Sequence, residues 1–346
     1  MPLLCLSSPI RSVCALPASA LLLLAMAVGP FGSCAFAQEG PLPEAVDPPA
    51  QPPSAQQSPA PVIRQATPSG SPYDKAIFLR PLPPDQLGFL SQFANDSTAD
   101  LYRSREFRKL MKNFVPDCMF HYGRDMPLQD ALDLAMDNSR EPVVIREGRY
   151  VMLSGARGPY LGGRAFLWID LQDGIGLGAF YFHPTNGEPT PTVAVFSRQV
   201  KETTLAMSQL PPAFASDLAQ WTANEQIAPI TTRYFLTGNN RRILLEHDED
   251  FCALGDGTMA PPDSGCQQMN ADAADIDETA AYYLDQVHYA TNATAWMIGP
   301  DQVAWLQVRA DTCGGVADPL GCRIRVTREH THLIIHRGPM PHPIRR

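Results

Sequence analysis

The chain has 346 residues, 18% of them charged, and a formal net charge of −9 from 27 Lys+Arg against 36 Asp+Glu. The sequence shows no clustered basic footprint of the kind nucleic-acid binding requires, and no apolar run long enough to span a membrane follows the N-terminal one. A nucleic-acid binder and a polytopic membrane protein are both excluded on these grounds, and the length allows one large domain or two ordinary ones.

Residues 1–37 read as a secretory signal peptide. Arg11 is the one basic residue ahead of the apolar run Leu21-Leu22-Leu23-Leu24-Ala25-Met26-Ala27-Val28, Gly29-Pro30 breaks it, and Ala35-Phe36-Ala37 supplies the small residues of a cleavage site. Phe31-Gly32-Ser33-Cys34 is a poor lipobox, so lipidation at Cys34 ranks behind cleavage near Ala37. The expectation is a periplasmic or secreted protein, one charge more negative than −9 once Arg11 is lost. Residues 38–72 hold ten prolines among Ala, Gln and Ser, a composition that stays extended and unpacked and acts as a tether.

Residues 73–200 read as a few helices followed by a β meander. Helical patches include Phe107, Leu110 and Met111, and Pro127 opens a clearer helix with Leu128, Leu132, Ala135 and Met136 on one face. Strands are expected at 149–154, 164–171, 175–183 and 192–199, pairing antiparallel with the helices on one face of the sheet, an α+β class. Residues 201–251 read as a connector. It holds a helix after Pro211-Pro212 bearing Phe214, Leu218 and Trp221, then a hairpin turning at Thr237-Gly238-Asn239-Asn240. His247-Asp248-Glu249-Asp250 reads as a solvated turn, because it lacks the loop glycine and spaced oxygens of a calcium site.

Residues 252–337 read as a small helical module, with 338–346 as a tail. Ile276, Ala280, Tyr283, Leu284, Val287 and Thr291 share one face of a long helix stopped by Gly299-Pro300; two more helices follow at about 301–313 and 322–335. With export, Cys252, Cys266, Cys313 and Cys322 enter a disulfide-permissive compartment. Three pairings are open and the two local ones, Cys252 with Cys266 and Cys313 with Cys322, are favoured, leaving Cys118 free and buried. No nucleophile elbow, P-loop, His-Glu-x-x-His or Cys-x-x-Cys occurs. His330 and His332 point to opposite sides of a helix, and with His336 they read as polar residues of the last helix rather than metal ligands. An enzyme, a cofactor, a metal and a small-molecule substrate are therefore not expected.

Two resemblances bear on function. The run Val115-Pro116-Asp117-Cys118-Met119-Phe120-His121-Tyr122-Gly123-Arg124-Asp125-Met126-Pro127, continued by Gly148–Ser154 and Arg164–Phe182, resembles the Ivy family of inhibitors of vertebrate lysozyme over roughly residues 100–200. That resemblance implies a sheet module whose loop plugs a lysozyme cleft. The family's loop reads Cys-Lys-Pro-His-Asp-Cys; here Ala156-Arg157-Gly158-Pro159-Tyr160-Leu161 stands in its place, without the cysteine clasp or the histidine, leaving Arg157, Gly158, Pro159 and Tyr160 as the partner-binding candidates. The C-terminal part resembles the LprI-type lysozyme inhibitors through Gln302, Trp305, Arg309 and Cys313 (Gln-x2-Trp-x3-Arg-x3-Cys) and through Cys322 and Thr327 (Cys-x4-Thr). The Cys252-x13-Cys266 spacing agrees with that family's first cysteine pair, while its Asp-x2-Leu-Asn-x2-Tyr signature is not kept after Asp277. Trp305 and Arg309 read first as helix–helix residues. Together the resemblances imply an inhibitor-like protein whose partner is a lysozyme or lytic transglycosylase; a homodimer stays open, and the alternative is an envelope scaffold that has lost the inhibitory loop.

Overall fold

The computed structural model describes residues 73–336, except 123, 158–162, 185–190, 202–203, 239–240, 256, 262 and 290–298. The expected signal segment, the Pro-rich stretch, the tail and Thr291 of the expected helix face lie outside the described residues.

Helix formation starts from local caps. Ser97 and Ser104 accept backbone N–H bonds from Asp100 and Phe107 and so begin α1 (Thr98–Arg103) and α2 (Arg105–Phe114). In α2, Phe107, Leu110, Met111 and Phe114 recur on one stripe and are all buried. A short hairpin, β1 (Met119–His121) with β2 (Asp125–Pro127), leads into α3 (Leu128–Met136), where the expected apolar face is buried. These helices form the expected layer.

The sheet runs β3 (Val144–Arg146), β4 (Tyr150–Arg157), β5 (Gly163–Asp170), β6 (Ile175–Phe182), β7 (Thr192–Phe196), β8 (Thr232–Leu236) and β9 (Arg242–Leu244), side by side in chain order. Every neighbouring pair is antiparallel except β7 with β8, which is parallel. A parallel pair needs a crossover, and residues 197–231 supply it through α4 (Pro212–Asn224), begun by proline at its first position. The expected strands are present, with β3 and the β1–β2 hairpin added.

Alternation along the strands builds two cores. Val151, Leu153, Ala165, Leu167, Ile169, Phe180, Ala194, Phe196, Tyr234 and Leu236 face α1, α2 and α3. Phe166, Trp168, Leu177, Ala179, Val193, Val195 and Phe235 face α4 through Phe214, Leu218 and Trp221. A second layer, absent from the expectation, thus covers the other face, and this is why the strands read as nearly unbroken apolar runs.

The stretch 201–251 is correspondingly more than a connector. Without β8, the buried strand β7 would be an open edge with a row of unpaired backbone groups, so the expected boundary near residue 200 falls inside one sheet. The C-terminal helices are α5 (Cys266–Tyr289), α6 (Pro300–Cys313) and α7 (Pro319–His336). Ala280, Ala281 and Tyr283 of α5 join the core beneath Tyr234, Leu236 and Leu244, and the described residues fall in one compact unit. Both local disulfides are formed, Cys252–Cys266 and Cys313–Cys322. Cys118 is free and buried, and loss of hydration pushes its thiol up to about 12 despite the charge of Arg242, so it is an inert core residue.

Candidate functional site

The expected partner-binding residues fall between β4 and β5, which pair in a register that runs from Tyr150 opposite Asp170 to Arg157 opposite Gly163. Arg157 is the exposed last residue of β4; Gly158, Pro159 and Tyr160 lie outside the described residues. The root of the loop is anchored. The Gly163 amide donates to the Tyr122 hydroxyl at 3.2 Å, and the Tyr122 ring stands edge-on to Phe180 at 5.4 Å and Phe182 at 6.4 Å. A Cβ at position 163 would strike the Tyr122 ring, so only glycine permits this approach. Burial raises the Tyr122 phenol above its ordinary range, opposed by the Gly163 amide and by the charges of Arg157 and Arg164.

The spaced residues of the C-terminal part are brought together, but inward. Gln302, Trp305, Arg309 and Cys313 lie at i, i+3, i+7 and i+11, one face of α6, and each meets a partner. The Gln302 amide donates to both Glu278 carboxylate oxygens at 2.8 Å, with Glu278 only 2% exposed. The Trp305 ring stacks on His330 at 4.0 Å and 11°, and the Arg309 guanidinium lies over the Trp305 ring, 4.9 Å from its centroid. Arg309 donates to Asp275 at 2.6 Å and to the Thr327 hydroxyl at 3.0 Å, while Arg323 of α7 reaches Asp275 at 2.6 Å. His330 pairs with Glu278 at 2.9 Å. The result is a ladder of charged and polar rungs across α5, α6 and α7, closed at one end by Cys313–Cys322. His332, in contrast, is exposed and stacks on His336 at 5.9 Å. Among the described residues no group of three or more His, Cys, Asp or Glu is arranged to hold a metal.

The run 247–250 departs from the expected solvated turn. The His247 side chain is fully buried, its Nδ1 2.7 Å from Asp277 Oδ1, and its backbone N–H donates to Asp277 Oδ2 at 2.6 Å. Glu249 pairs with Arg233 at 3.0 Å, and only Asp248 and Asp250 keep the solvated character. The aspartate that answers His247 sits thirty residues on in α5, out of reach of any local reading.

Sequence reading also missed a cavity of about 640 Å³ at the opposite end of the sheet from Arg157 and Gly163. Among the described residues its lining includes Arg80, Lys112, Arg198, Lys201 and Arg241, and no carboxylate. These cations are scattered over more than 160 residues of sequence, so no local run announced them.

No family model, no curated protein and no solved structure matches this chain.

Proposed function

We propose that this chain is an exported, lysozyme-inhibitor-like binding protein that engages a muramidase, a lysozyme or a lytic transglycosylase, and so protects peptidoglycan. One observation supports the reading above others: the segment that replaces the Ivy loop leaves the sheet at an exposed arginine, Arg157, from a hairpin whose root is fastened by Tyr122. A rigid root lowers the ordering cost of binding, and an arginine fork matches the paired carboxylates of a muramidase cleft. The acidic balance of the chain suits a basic partner, since complementary charge steers encounter.

A second reading, a non-inhibitory envelope scaffold, is favoured by the C-terminal helices. Gln302, Trp305 and Arg309 are all spent on internal contacts, which leaves them none to offer a partner. The test is a double substitution, Arg157→Ala with Tyr160→Ala, assayed against a panel of lysozymes and lytic transglycosylases. Loss of inhibition with an unchanged melting temperature is the expected result. A parent chain that inhibits none of the panel overturns the inhibitor reading in favour of the scaffold.

A further inference from the structure

We propose that the basic cavity is a binding site for a phosphate-bearing small anion, a diphosphate or a comparably charged phosphate ester, separate from the Ivy-like loop. The position comes from topology. Strands β7 and β8 are the parallel pair, and Phe196 lies opposite Leu236 at their carboxyl ends. Arg198 and Lys201 follow β7, and Thr237 and Gly238 follow β8, so the cavity opens just beyond the carboxyl ends of two parallel strands joined by a helical crossover. In open α/β sheets ligands bind outside the carboxyl ends of parallel strands, and this single parallel pair offers the same kind of end. The volume falls within the range of small-ligand pockets.

Charge gives the ligand class. In a chain of net charge −9, Arg80, Arg198 and Arg241 bring guanidinium forks to the lining and Lys112 and Lys201 bring ammonium groups. Arg198 shares its charge with Asp117 at 3.1 Å, a residue 85% exposed on its side chain. Arg80, Lys112 and Lys201 have no carboxylate partner among the described residues. All five side chains are exposed, so solvent moderates their repulsion and an anion bound among them relieves the rest; a single carboxylate is too little charge for this set. Arginine binds phosphate oxygens in bidentate fashion and lysine binds them as a point charge.

The cavity is also built rather than incidental. Arg80 sits at φ +55°, a left-handed conformation that is strained for a residue other than glycine. Surrounding bonds hold it there. Gln199, buried, donates to the Arg80 carbonyl at 3.2 Å and to the Gly174 carbonyl at 2.9 Å, while its own carbonyl accepts from Leu79 N at 2.7 Å. The Leu82 amide donates to the Gly174 carbonyl at 2.9 Å. Arg198 fixes the end of α2 by donating to the Lys112 carbonyl at 3.1 Å, and its own amide donates to the Phe114 carbonyl at 2.7 Å. Phe114 in turn lies directly on Gly176, where a Cβ would collide with its ring.

Isothermal titration of the purified chain with inorganic diphosphate, with citrate as the carboxylate control, tests the assignment. Saturable one-to-one binding of diphosphate, at least tenfold tighter than citrate and weakening steeply with salt, is expected. Two variants locate it: Arg80→Gly, which removes the guanidinium while suiting the positive φ, and Lys112→Gln with Lys201→Gln on the exposed rim. Each should weaken binding tenfold or more with the melting temperature of the free chain unchanged or, for Arg80→Gly, raised. A flotation arm with phosphatidylcholine vesicles carrying phosphatidic acid separates the sources: capture by vesicles without diphosphate binding assigns a lipid-borne phosphate, and the reverse assigns a soluble one. Absence of binding in both arms overturns the proposal, as does diphosphate binding that both variants retain, or citrate binding as tight as diphosphate. Inhibition of muramidases is independent of every one of these outcomes.

Discussion

The sheet and the three C-terminal helices are held by different chemistry. Between α1–α3 and the sheet, and between α4 and the sheet, the packing is mainly apolar, with Trp168, Phe107, Phe180, Phe196, Phe214 and Phe235 fully buried or nearly so, and Asp217 of α4 adds a polar tie to Trp168 and Arg146. Among α5, α6 and α7 the rungs are Asp275–Arg309, Asp275–Arg323, Glu278–Gln302 and Glu278–His330, with one stacked ring pair and a disulfide. Apolar burial is additive and tolerant of small shifts, contributing roughly 1.5–3 kcal/mol for each large side chain. A polar ladder contributes less per contact but is intolerant of a missing rung, because an abandoned buried group loses its hydration without compensation. The sheet therefore supplies most of the stability, and the ladder supplies a defined register for helices whose small core has little apolar area to specify one.

Deletion of a large core side chain should show the strongest effect. Trp168 stacks on Tyr150 at 5.2 Å and donates its indole N–H to Asp217 at 2.8 Å. Trp168→Ala is expected to cost about 3–5 kcal/mol, with one cooperative transition shifted down in chemical denaturation. A loss below about 1 kcal/mol would mean that the α4 layer contributes little and that the contrast with the ladder has been overdrawn.

Removing a rung should cost less and act more locally. Gln302→Ala leaves the buried Glu278 with His330 alone, and is expected to cost about 1–3 kcal/mol. Hydrogen exchange should speed first in α6 and α7, with the sheet amides unchanged. Equal acceleration in β5 and β6 would show that ladder and sheet open together.

The smallest effect is a pH dependence at the turn between β5 and β6, where Asp173 meets Tyr73, Lys75 and Arg149. Burial by itself would raise the Asp173 carboxyl, but hydrogen bonds from Lys75 and Tyr73 and the charges of Lys75 and Arg149 outweigh it and hold Asp173 below the usual carboxylate range. A depressed carboxylate contributes stability that is complete above its unfolded value and is lost as pH falls through the folded one. Stability should therefore decline in acid below the ordinary aspartate range, and Asp173→Asn should flatten part of that decline while lowering stability at neutral pH. Identical acid profiles for parent and variant would remove Asp173 from the account.

Much of the fold was legible because local chemistry specified it. Pro127 and Leu128, Leu132, Ala135 and Met136 announced α3; the Pro211-Pro212 start and the Phe214, Leu218 and Trp221 stripe announced α4; glycine-rich turns separated strands of β-branched and aromatic residues. The spacing of Gln302, Trp305, Arg309 and Cys313 placed them on one helix face, and the cysteine spacing favoured the pairings that formed. Three features were not legible. Strand β8 pairs with β7 across a helical crossover, a choice made by two apolar faces that must both be covered rather than by any turn signal. His247 is buried because Asp277 answers it from another element.

The third is the basic cavity. Periodicity and capping are properties of residues within a few positions of one another, so they settle which segments become helices and strands. An electrostatic site depends on separation in space. Arg80, Lys112, Arg198, Lys201 and Arg241 each stand in unremarkable local sequence, in a chain whose acidic balance speaks against a basic site. They become neighbours because α2 ends against Gly176, Gln199 ties the segment at residue 80 to the turn at Gly174, and β7 and β8 finish side by side.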